Sequence, residues 1–98
     1  MTIKICGVPF EIIDKEVIDA YADGGICLGR ISHDKGIIEM RNSLSKEIYE
    51  QTLIHEVVHG MLVMIGRNDL SDDETFVQTM ALAISQTFDL KEEENDRE

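Results

Sequence analysis

Two of the three histidines in this chain stand in the stretch Leu53-Ile54-His55-Glu56-Val57-Val58-His59-Gly60. The pattern is His-Glu-x-x-His, with two imidazoles four residues apart and a carboxylate beside the first. On an α-helix, residues at that spacing lie on one face, one turn above each other. His55 and His59 can then each aim a ring nitrogen at a single point. Glu56 lies about a quarter-turn round the helix. It is offset from the pair as a ligand, yet near enough to reach a water at that point. A divalent metal on two such histidines, with an acidic neighbour, is a hydrolytic layout.

The chemistry depends on a helix, and the surrounding residues predict one. Leu53, Ile54, Val57, Val58, Met61 and Leu62 make the segment apolar nearly all round, as in a helix buried within a domain. Two histidines and a glutamate there are costly unless paired or metal-bound. Ser45 is a suitable N-cap, with Glu47 in the first turn, and Gly66 a suitable stop, so the helix is expected from about Lys46 to Ile65. Arg67 to Leu70 then reads as a short connection, which requires the next helix to return antiparallel, from near Ser71 or Asp72 to near Leu90.

Ahead of the helix the chain reads as strands. Thr2 to Cys6 and Phe10 to Ile13 are expected to pair as a hairpin around Gly7-Val8-Pro9. Asp14 to Gly25 reads as turn or irregular chain. Ile26 to Ser32 and Ile37 to Arg41 form a second hairpin around His33-Asp34-Lys35-Gly36. His33, at that turn, reads as a solvated residue. Cys6 and Cys27 fit no metal-binding spacing and read as buried, reduced thiols.

A hydrolytic zinc site has three protein ligands and one open position. After His59 the chain offers Asp69, Asp72, Asp73 and Glu74. Helical phase does not choose among the last two. Val77, Ala81, Ile84 and Phe88 mark the inner stripe of the final helix; Glu74 lies at its edge and Asp73 nearer its centre. Ser71-Asp72-Asp73-Glu74 also fits a capping box, in which Glu74 would turn back to the Ser71 backbone. Spacing leaves ligand and cap open.

His55-Glu56-x-x-His59 followed by Asp73-Glu74-Thr75-Phe76-Val77 resembles the gluzincin clan of metallopeptidases. The small size and the helical hairpin are most similar to minigluzincins, minimal members found among bacterial and phage proteins. The resemblance spans roughly residues 26 to 88, and the helix motif is its specific part. It implies Zn2+ held by His55, His59 and Glu74, with Glu56 as the base that activates water for peptide-bond hydrolysis. It also implies that the strand Ile37 to Arg41 forms a sheet edge able to receive an extended peptide. Amide hydrolysis needs a further hydrogen-bond donor for the developing oxyanion. Tyr49, Arg41 and His33 are the donors available, and spacing places none of them.

Length and charge bound the rest. Ninety-eight residues make one domain, here expected over 1–90, with an acidic and disordered tail over 91–98 of net charge −3. The net charge of −11 argues against nucleic acid and anionic lipid as partners, and a protein or peptide substrate is what the resemblance implies. No apolar run reaches membrane-spanning length and no signal-peptide layout opens the chain, so the expected location is cytoplasmic. The expected fold is α+β: a small, mainly antiparallel sheet of three or four strands on two antiparallel helices, a minimal zincin-like core. A metal-stabilised interaction module without turnover is the alternative function.

Overall fold

The computed structural model describes residues 1–18 and 27–88. In chain order these form β1 (Thr2–Ile5), β2 (Val8–Lys15), β3 (Gly29–Ser32), β4 (Ile37–Arg41), α1 (Lys46–Met64), α2 (Asn68–Ser71) and α3 (Glu74–Thr87). The strands make one sheet in the order β1-β2-β4-β3. The fold is therefore the α+β arrangement expected, with the one-turn α2 added where a plain connection was anticipated. The anticipated end of the last helix near Leu90 and the tail over 91–98 lie outside the described residues. No helix among the described residues is long and apolar enough to cross a membrane.

Both hairpins form, with differences in detail. The β1–β2 turn is Cys6-Gly7, with φ of 50° and 83°. Two positive φ values suit a two-residue turn matched to strand twist. Val8 and Pro9 therefore belong to β2 rather than to the turn, paired with Ile5 and Lys4. Pro9 is tolerated because pairing of β2 with β4 begins only at Glu11, opposite Ile37. The turn also leaves Cys6 exposed, against expectation, while Cys27 is buried and donates its S–H to the Gly29 carbonyl at 3.2 Å.

At its other end β2 runs on through Asp14 and Lys15, which pair with Met40 and Arg41 of β4. The expected irregular stretch Asp14 to Gly25 thus begins as strand, and its part over 19–25 lies outside the described residues. The β2–β4 pairing is parallel, whereas β1–β2 and β3–β4 are antiparallel. This pairing places β4 inside the sheet. The edges are β1 and β3, not Ile37–Arg41 as the resemblance implied, and β3 is the edge on the side of the motif.

Helix α1 is apolar all round because both of its sides are covered. Leu53 packs with Ile5, Phe10, Ile12, Ile38 and Met40 beneath the sheet. Ile54 and Val58 pack with Val77 and Ala81 of α3. Ser45 caps the helix, its side chain accepting from the Ile48 N–H at 3.3 Å. Gly66 ends it with φ of 80°, a left-handed conformation that costs glycine little.

Two glycines set how closely β3 approaches α1. A Cβ on Gly29 would lie 2.8 Å from Thr52 Cγ2, and one on Gly60 would lie 2.9 Å from Ile5 Cδ1 and 3.0 Å from Ile31 Cδ1. The missing side chains let the edge strand rest on the helix face that carries Thr52, Glu56 and Gly60.

Candidate metal centre

The motif folds as its spacing predicts. His55 and His59 sit on adjacent turns of α1, with ring centroids 4.9 Å apart. Glu74, the first residue of α3, brings its carboxylate between the two rings. Its Oε1 is 3.2 Å from His55 Nε2 and its Oε2 is 3.2 Å from His59 Nε2. One donor atom from each of the three residues lies within 4.8 Å of the others, close enough to hold one metal ion.

Asp73 has a different task. It is the N-cap of α3, its side chain accepting from the Phe76 N–H at 3.1 Å. The capping box starting at Ser71 does not form. Ser71 is buried and its Oγ lies 2.9 Å from His59 Nδ1. Glu74 is thereby free of capping and faces α1. The choice that helical phase left open is made by the one-turn α2, which shifts the start of α3 to Glu74.

The donor set has the chemistry of a cation site. Gln78, one turn after Glu74, places Oε1 2.8 Å from His55 Nδ1. A carbonyl oxygen only accepts, so this contact is a hydrogen bond in the tautomer that carries its proton on Nδ1. In the neutral ring Nε2 is then a bare lone pair facing a carboxylate oxygen. Two acceptors at 3.2 Å repel unless a proton or a metal ion lies between them. For His59 burial holds the ring's pKa below its usual value; Glu74 opposes this, and His55 and His33 add to it. The neutral imidazole is the form that binds metal. Four ligands placed tetrahedrally at about 2.0–2.1 Å from a zinc ion stand about 3.3 Å apart. The two nitrogen–oxygen separations of 3.2 Å are of that size.

Glu56 is set apart from these ligands in both position and environment. It is only 8% exposed, under the face of α1 covered by β3. Burial pushes its carboxyl up from 4.5 to about 7; His55 opposes the rise and Glu74 adds to it. The group is thus balanced between acid and base near neutral pH.

The site opens into a cleft of about 650 Å³ lined by Gly29, Arg30, Ile31, His33, His55, Glu56, His59, Ser71, Asp72 and Glu74. A contiguous lobe continues past Gly29, His55, Glu56 and Glu74 to Leu28, Ile48, Gln51, Thr52 and Gln78. One wall of both is therefore β3. Of the three donors considered for an oxyanion, Tyr49 is committed elsewhere, donating to Asp14 Oδ1 at 3.0 Å. Burial, with Asp14 second, pushes its phenol up to about 12. Arg41 ends the interior strand β4 and is not among the cleft residues. His33 is exposed, as expected at a turn, yet it belongs to the cleft wall.

Gln78 and Ser71 were not picked out as functional from the sequence. The one available signal was that Gln78 follows Glu74 by four residues and so shares its face of α3. For Ser71 there was none, because its partner depends on how α2 folds back.

Comparison with known proteins finds no matching family model, no similar curated protein and no similar solved structure.

Proposed function

We propose that this chain is a minimal gluzincin-type zinc peptidase, with His55, His59 and Glu74 as ligands and Glu56 as general base. The observation that supports this most is the convergence of His55, His59 and Glu74 within 4.8 Å beside a buried Glu56 held near pKa 7. A zinc ion bound there supplies Lewis-acid polarisation of a substrate carbonyl and makes water more acidic.

The remaining work falls to the chain. Glu56 takes the proton from the attacking water and returns it to the leaving amine nitrogen, and a pKa near 7 suits both directions of transfer. Gln78 and Ser71 hold the two imidazoles with Nε2 turned toward Glu74, fixing ring orientation from behind. The edge strand β3 offers a track for substrate. Arg41 N–H donates to the Leu28 carbonyl at 3.0 Å. By antiparallel alternation, Leu28, Arg30 and Ser32 then bond to β4, while the backbone groups of Gly29 and Ile31 point outward. An extended peptide adding at that edge would lie along the cleft, its scissile bond beside Glu56. The substrate class that fits is a protein or peptide in extended form.

The test is purified, untagged protein loaded with zinc and assayed on casein and on mixed fluorogenic peptides. The expected result is one zinc per chain and hydrolysis that falls at least about 1,000-fold in Glu56→Gln with zinc retained. Equal turnover by Glu56→Gln would remove the assignment. One zinc per chain without hydrolysis, with chelation lowering only the melting temperature, would support the interaction module instead.

A further inference from the structure

We propose that His33 is the missing electrophilic donor of the cleft, its ring N–H hydrogen-bonding the carbonyl oxygen of the substrate as that oxygen gains charge. The inference rests on the peptidase reading and names a catalytic residue for it. Three observations place His33 there.

Position along β3 is the first. Gly29 and Ile31 turn the same face of the strand toward α1, against Thr52 and Gly60 respectively. His33, in the turn that directly follows Ser32, lines the same cleft as Gly29 and Ile31. It leaves the strand where the motif histidines lie.

Anchorage is the second. His33 directly follows the last residue of β3 in a four-residue turn. The Gly36 N–H closes that turn on the Ser32 carbonyl at 3.0 Å, with Gly36 at φ of 66°. The ring therefore springs from a short, hydrogen-bonded connection, and donors act best when held in place beforehand.

Distance is the third. His33 lines the same cleft as His55, Glu56, His59 and Glu74. It is not part of the close group formed by His55, His59 and Glu74. Its charge nevertheless acts on His59. His33 follows β3, on the wall across from the ligands of α1 and α3, so a substrate carbonyl entering the cleft would lie between the two. Tyr49 is bonded to Asp14, Arg41 is absent from the wall, and Arg30, which lines it, donates to Glu39 Oε1 at 2.7 Å.

In the step, the water oxygen forms a bond to the carbonyl carbon while the π electron pair moves onto the carbonyl oxygen. The water proton goes to Glu56. As that electron pair returns, the C–N bond breaks and Glu56 gives the proton to the amine nitrogen. His33 forms and breaks no covalent bond and keeps its proton throughout.

Two readouts test this on the full chain. In the first, cobalt-loaded wild type and His33→Ala are titrated with acetohydroxamate, followed by the visible spectrum. His33→Ala should take up one metal per chain with unchanged affinity and bind acetohydroxamate about tenfold more weakly. In the second, zinc-loaded His33→Ala should lose about 100-fold in kcat on casein with KM within about twofold, the size expected for one oxyanion donor. His33→Gln, which keeps an N–H donor, should recover part of both. Unchanged acetohydroxamate affinity with normal metal uptake overturns the inference alone. Lost metal uptake in His33→Ala also overturns it, by making His33 a ligand. A wild type that takes up no metal removes this inference together with the peptidase assignment.

Discussion

Replacing Glu56 by glutamine should stabilise the metal-free protein at alkaline pH and leave it unchanged at acid pH. The carboxyl is 8% exposed and its pKa lies at about 7 when folded, against 4.5 as the ordinary value. Between those two values the folded chain holds a proton that the unfolded chain has released. Folding stability therefore falls as pH rises through this window. The lift from 4.5 to about 7 corresponds to about 3 kcal/mol, most of it the cost of ionising a carboxyl out of water. Glutamine keeps the shape and never ionises. The assay is urea unfolding of chelator-treated wild type and Glu56→Gln at pH 5 and pH 8. At pH 5, already inside this window, Glu56→Gln should be more stable by about 1 kcal/mol, and at pH 8 by about 3 kcal/mol. A cation held by His55, His59 and Glu74 favours the carboxylate, so zinc should shrink the gap. An equal stability difference at both pH values, without metal, would refute the claim that Glu56 is buried and raised.

Two further changes separate roles that lie close together in the chain. Gln78→Ala and Ser71→Ala remove the partners of His55 Nδ1 and His59 Nδ1, and each should weaken zinc binding about 10–100-fold in a competition titration. Asp73→Ala should cost about 1 kcal/mol in urea unfolding through loss of the α3 cap, while zinc affinity stays as in wild type.

The features legible in the sequence are those that depend on near neighbours along the chain. The helix carrying His55 and His59, its Ser45 cap and its stop at Gly66 all follow from spacing and local propensity. The β3–β4 hairpin followed from its turn residues, and β4 forms over Ile37–Arg41 as expected. A four-residue interval on a helix fixes which face two side chains share, so the pairing of the motif histidines needed no further information.

Features that depend on distant segments were not legible. Parallel pairing of β2 with β4 joins residues more than twenty positions apart, and only that pairing makes β4 interior and leaves β3 at an edge. The choice of Glu74 over Asp73 turned on a single helical turn, α2, whose place is set by packing against α1. Ser71 and Gln78 became partners of the histidines only when α2 and α3 folded back. His33 reads as an ordinary turn residue until β3 is laid along α1, which brings the turn to the cleft. Glu56 shows the division most plainly. Sequence supplies a carboxylate beside a histidine pair, but its poise near pKa 7 comes from burial under β3, because the cost of ionisation depends on how much water the surrounding fold leaves in reach.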